Sequence, residues 1–219
     1  MTVRHHPSEA LQLDYASGAL TEAWSLAVAT HLALCPVCRK TVAGIEAVGG
    51  ALLASLEPSA VSASGFDSVW DRIGREERDT PEIARPAAVS GSAILPSPLR
   101  DYVGSDLDGL AWQRLGLGAY QLPIDIGEAG ATARLLRIPA GRPVPEHTHR
   151  GLELTLVLCG AFSDTTGDYG PGDFQEADDT LKHQPHAAPG EDCVCLAVTD
   201  APLYFSSFAA RLVQPLIGI

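Results

Sequence analysis

The sequence predicts an α + β chain of two domains: a small four-helix domain over residues 1–79 and an all-β domain over 100–219, joined by a linker over 80–99. Three observations predict it. Apolar residues recur at helical spacing up to about position 75, and beyond 110 the period falls towards two. Between these stretches stand Pro81, Pro86, Pro96 and Pro98 among Ser, Ala and Gly, the composition of a tether. Each half also carries its own array of metal-ligand side chains.

The elements follow in order. Ser8 reads as an N-cap, with Glu9 in the first turn of a short helix ending near Gly18. Thr21 caps a second helix, Glu22 to about Leu34, with Trp24, Leu26, Ala27 and Leu34 as apolar positions. A third runs from Pro36 to about Leu56, with Val42, Ile45, Val48, Leu52 and Leu53 at helical spacing; Gly49 and Gly50 each weaken it by about 1 kcal/mol relative to alanine. After a loop at 58–65, Ser64 and Asp67 open a fourth helix. Its apolar positions Phe66, Val69, Trp70 and Ile73 form one sharp stripe, and Arg72, Arg75, Glu76, Glu77 and Arg78 the other face. Such a stripe either packs on the neighbouring helices or lies on a partner protein. Strands are expected at 110–122, 131–138, 152–162, 173–177, 194–198 and 203–208, as in a sandwich or barrel.

At the junction of the second and third helices stands His31-Leu-Ala-Leu-Cys35-Pro-Val-Cys38. Two thiols and an imidazole at this spacing suit zinc. His31 and Cys35 are four apart on one helix and share a face. Pro36 suits the first turn of the next helix. A fourth ligand must come from elsewhere, and His5 and His6 in the tail are the candidates. A helical domain of about 75 residues has a limited core, so a closed four-ligand site would add folding free energy directly.

Composition narrows the function classes. A chain of 219 residues is comfortable for two domains. The formal charge is −12, with 8 Lys/Arg against 11 Asp/Glu in residues 1–100 and 7 against 16 beyond. That balance argues against a nucleic-acid surface. No apolar run reaches the roughly 18 residues that span a bilayer. The polar first ten residues do not read as a signal peptide, so a cytoplasmic protein is expected. Five cysteines, two of them in a CxxC beside a histidine, fit a metal site in a reducing compartment better than a disulfide framework.

The β half carries a second array, Gly141-x5-His147-x-His149-x3-Glu153-x6-Gly160. His147 and His149 share a face if the segment is extended. Two imidazoles and a carboxylate suit zinc or another divalent transition metal. A further ligand is expected from a later strand, where His183 and His186 are the choices. Cys193 and Cys195 stand on one face of a strand, a poor geometry for a disulfide, and read as buried core.

The stretch Gly141–Gly160 resembles the first motif of the cupin superfamily without a gap, which implies a small β-barrel holding one metal. Pro171-Gly172-Asp173 resembles part of the second motif, although the histidine follows later than in the general pattern. The two halves together resemble the ChrR-type zinc anti-sigma factors over nearly the whole chain. The likeness rests on both arrays and on flanks such as Arg4-His5-His6, Ala47-Val48-Gly49-Gly50, Arg150–Leu158 and Arg211-Leu212-Val213-Gln214-Pro215. It implies zinc on His6, His31, Cys35 and Cys38, and a second metal on His147, His149, Glu153 and His183. It implies a helical domain that sequesters an extracytoplasmic-function sigma factor, taken as 1:1, and a cupin-like barrel needed for release under singlet oxygen. Release would follow altered docking of the barrel or proteolysis of the linker. The competing reading is a cupin-type metal-dependent oxygenase or isomerase fused to a zinc-binding interaction domain; no second acid/base pair for such chemistry stands out.

Overall fold

A computed structural model describes residues 2–75, 94–116, 118–127, 130–202 and 204–205. Four helices occupy the N-terminal part: α1 (Glu9–Ala16), α2 (Glu22–Leu34), α3 (Pro36–Ala54) and α4 (Gly65–Arg75). The Ser8 hydroxyl accepts from the Leu11 amide at the start of α1, as its N-cap position requires. The chain bends by 120° between α2 and α3. Cys35 sits at the corner: it ends α2, and its Sγ accepts from the Cys38 amide at the start of α3. Arg39 donates to the Leu32 and Ala33 carbonyls, two of the acceptors that the last turn of α2 leaves unpaired. Among the described residues no single helix is long and apolar enough to cross a membrane.

A fifth helix, α5 (Ser97–Val103), was not expected. It falls where residues 94–99 read as linker. Leu95 and Leu99 are fully buried there, and α5 packs on α2. Pro98 lies in its first turn, where the missing N–H costs nothing. The rest of the expected linker, 80–93, lies outside the described residues.

The β part holds β1 (Gln113–Gly116), β2 (Ala119–Ile124), β3 (Thr132–Ile138), β4 (His147–Thr148), β5 (Glu153–Cys159), β6 (Phe162–Asp164), β7 (Gly167–Tyr169), β8 (Phe174–Ala177), β9 (Lys182–His183), β10 (His186–Ala187), β11 (Cys193–Thr199) and β12 (Tyr204–Phe205). They form a cupin-like sandwich: one sheet in the order β1-β2-β3-β11-β5-β8 and two small sheets, β10-β6-β7 and β12-β4-β9. Every pairing is antiparallel. The stretches expected as strands at 110–122 and 152–162 are each broken by a turn, giving β1–β2 and β5–β6. Of the stretch expected at 203–208, residues 203 and 206–208 lie outside the described residues.

The large sheet is buried on both faces, which is why β5 and β11 read as continuous apolar runs. Leu154, Leu156 and Leu158 of β5, with Val194, Leu196 and Val198 of β11, join one core with Leu26, Ala27 and Val28 of α2. Val157 and Cys193 turn the other way and pack with Phe162, Tyr169 and Ala187 inside the sandwich. Helices and sheet therefore share a core. The central position of α2 explains why it is apolar nearly all round: Ala23, Leu26, Ala27, Val28, Thr30, His31 and Leu32 are all buried.

The β5–β6 turn depends on Gly160. Its φ is +65°, and an added Cβ would stand 2.4 Å from the Asp192 carbonyl oxygen. Gly160→Ala is expected to destabilise the fold by about 2 kcal/mol or more, read as a lowered thermal midpoint. Gly190→Ala is the comparison, because its φ is also positive (+112°) but its Cβ would meet open space. It should cost about 1 kcal/mol.

Candidate metal centres

The tail, α2 and α3 bring His6, His31, Cys35 and Cys38 together, with one candidate ligand atom from each within 4.8 Å of the others. Nδ1 of His6 lies 3.5 Å from the Cys35 Sγ and 3.3 Å from the Cys38 Sγ. Tetrahedral zinc with Zn–S near 2.3 Å and Zn–N near 2.05 Å needs an S···N separation of about 3.6 Å. His5 turns away: its ring packs on Tyr169, with centroids 4.4 Å apart. Of the two tail histidines, His6 is the one that stands in the cluster.

Electrostatics point to a cation. Burial holds His31 neutral, with its pKa lowered to about 4. Its Nδ1–H donates to the Gly172 carbonyl at 2.9 Å, which leaves the lone pair on Nε2. That Nε2 is buried and has no hydrogen-bond partner. Burial, followed by the neighbouring Cys35, pushes the Cys38 thiol up to about 12. A thiolate there needs a compensating positive charge, and metal binding would release its proton.

The second cluster joins His147 of β4, His149 just beyond it and His183 of β9, all buried. His147 and His183 are directly paired in register. The Nε2 atoms of His149 and His147 each lie 3.1 Å from that of His183. Outer partners fix two of the rings: Nδ1–H of His147 donates to the Pro145 carbonyl (2.8 Å), and Nδ1–H of His183 donates to Asp164 (2.6 Å). The protons of His147 and His183 are thus on their outer nitrogens, so these two close inner nitrogens cannot hydrogen-bond to each other. The lone pairs of His147 and His183 facing each other at 3.1 Å, with the His149 ring as a third donor, suit a shared cation, whose ligand nitrogens would stand about 2.9–3.4 Å apart at Zn–N near 2.05 Å. Burial lowers both His147 and His149 to about 4, the neutral ligand form.

Asp164 is invisible to motif reading but central to this site. Burial alone would raise its pKa, yet hydrogen bonds from Thr166, Gln175 and His183 hold it at about 2. It is the carboxylate that orients His183. Glu153 stands beside the cluster rather than in it. Its carboxylate is set apart from the three inner nitrogens, 4.0 Å from the outer Nδ1 of His149. The Thr155 hydroxyl donates to it (3.3 Å), and burial raises its pKa to about 7. His186 is exposed and outside the cluster, with its Nδ1–H on the Gln184 carbonyl. Cys193 and Cys195 are buried and free.

The expected partner stripe has a clear placement. Phe66, Val69, Trp70 and Ile73 are exposed, and so are Val48, Leu52 and Leu53 on the second half of α3. Of the apolar positions at helical spacing on α3, Val42 alone is buried, and Cys38 is the other buried residue of that helix.

Comparison with known proteins decides the family. Across its full length the chain is 50% identical, over 220 residues, to the whole of the anti-sigma-E factor ChrR of Cereibacter sphaeroides. The chain belongs to the ChrR family of anti-sigma factors. Residues 102–202 match the ChrR cupin-like domain. The ChrR family is also represented in a crystal structure of Rhodobacter sphaeroides SigE in complex with the anti-sigma ChrR. That match has 47% identity and a TM-score of 0.78, covering 91% of this chain and all of the solved one.

Proposed function

We propose that this ChrR-family chain is a cytoplasmic zinc-dependent anti-sigma factor and not an enzyme. It binds one extracytoplasmic-function sigma factor, 1:1, through the apolar face of α3 and α4, and holds it off RNA polymerase. The observation that carries this reading is that uncovered face. Phe66 and Trp70 stack with centroids 5.9 Å apart, and none of residues 65–74 of α4 is buried. Apolar side chains so grouped on a surface mark a protein-binding site. The relative of known structure that spans the chain is itself in complex with a sigma factor. Strong net acidity weighs against direct nucleic-acid contact.

His6, His31, Cys35 and Cys38 would hold structural zinc, tying the tail to the α2–α3 corner. His147, His149 and His183 would hold zinc or another divalent transition metal, with Glu153 as the fourth ligand once turned inward. The signal is singlet oxygen sensed through the barrel. What supports this is the grouping of oxidisable imidazoles, with the buried thiols Cys193 and Cys195 on β11 in the same β part of the chain. Co-expression with an extracytoplasmic-function sigma factor, followed by metal analysis of the purified complex, tests the reading. A 1:1 complex with two metal equivalents per chain is expected; no complex, or turnover of a small molecule by the barrel, would overturn it. Asp164→Asn should weaken metal binding at the barrel by about tenfold, measured by chelator competition with the thiolate site unchanged.

A further inference from the structure

The barrel reaches into the helical metal centre. The tail that presents His6 does not lie on the helices alone. The Arg4 and His5 amides both donate to Oδ1 of Asp173, at 2.6 and 2.9 Å. The Phe174 amide donates to the His5 carbonyl at 3.1 Å, and the Ser8 amide donates to Glu176. His6 is therefore flanked on both sides by residues bound to β8 or to the turn before it. The same turn supplies the Gly172 carbonyl that fixes the His31 tautomer. Asp173 is 2% exposed, and its second oxygen accepts from the Gly170 amide at 2.9 Å, which stiffens the turn.

We propose that the barrel segment from Gly170 to Glu176 is a positioning element of the His6–His31–Cys35–Cys38 centre, with Asp173 as its principal positioning residue. This rests on the reading that the centre holds zinc. Two of the four ligands owe their placement to the barrel, one through the tail backbone and one through its ring. Barrel docking and metal retention are then linked, and linkage is reciprocal. Undocking the barrel loosens the metal, and removing the metal loosens the tail from the barrel. The device gives the sensory half of the chain a direct mechanical hold on the centre that shapes the sigma-binding half.

The test uses the full chain loaded with cobalt(II), whose thiolate charge-transfer band reports the helical centre alone. Asp173→Asn keeps the shape but loses the charge, and places an amide group against either the tail or the Gly170 amide. It should release thiolate-bound metal about tenfold faster to a chelator, with release from the barrel histidines unchanged. In the parent chain, stripping the thiolate-bound metal should speed deuterium exchange at the Phe174 amide. A folded Asp173→Asn chain that releases metal at the parent rate overturns the proposal. Should that variant not fold, unchanged Phe174 exchange in the stripped parent overturns it, and Glu176→Gln supplies the milder variant. A parent chain without any thiolate-bound metal would instead sink the zinc reading beneath it, a distinguishable failure.

Discussion

Replacing Cys35 and Cys38 together by serine is expected to remove one metal equivalent per chain, lower the thermal midpoint sharply and abolish sigma-factor binding. The reason lies in what the two thiols connect. They stand at a 120° corner, within 3.5 Å of the tail histidine, and the chain's first helix pairs with α3 beside them. Without the ion, the buried Nε2 of His31 keeps an unpaired lone pair, which costs about 1–3 kcal/mol by itself. The free energy of metal binding, which in small structural sites is folding free energy, is lost as well. The expected loss of stability is at least about 3 kcal/mol, read by thermal unfolding with metal content measured in parallel. Because α2 shares a core with the sheet, the loss should spread to the β part, and the variant should melt in one step at a lower midpoint. Binding of the sigma factor as tight as that of the parent would show that the clamp does not shape the gripping surface.

The legible and illegible parts of this chain divide by range. The corner His31–Cys38 was readable because its spacing is local: four residues along a helix and three across a turn. The starts of α2, after Thr21, and of α3, at Pro36, were local in the same way, although the Thr21 hydroxyl makes no capping bond. His147 and His149 were readable as a pair two apart. The helix α5 was hidden because Pro96 and Pro98 read as breakers, whereas Pro98 occupies the one turn that tolerates proline. Strands of two or three residues, such as β4, β7, β9 and β10, are too short to show any period. The carboxylates that orient ligands, Asp164 and Asp173, lie 19 and 168 residues from the groups they hold, and no spacing rule reaches that far. Nor could periodicity say whether the stripe on α4 was core or contact surface, since both need the same pattern. Only the exposure of its four apolar side chains separates them.

That exposure makes a sharp prediction for Trp70. If the stripe were core, Trp70→Ala would leave a cavity and destabilise the chain by about 3–5 kcal/mol. The indole is 64% exposed, however, and its ring contact is with Phe66 on the same helix. Truncation should therefore leave the thermal midpoint of the free chain nearly unchanged. Its effect should fall on the complex. A tryptophan at the centre of an apolar contact is the side chain most often found to dominate binding, and its loss is expected to weaken sigma-factor affinity by about 2 kcal/mol or more, roughly 30-fold. Val69→Ala, with fewer atoms to bury, should weaken it less. Calorimetric melting of the free variant and titration against the sigma factor measure the two effects separately. A lowered midpoint with unchanged affinity would return α4 to the core and leave the gripping surface to α3 alone.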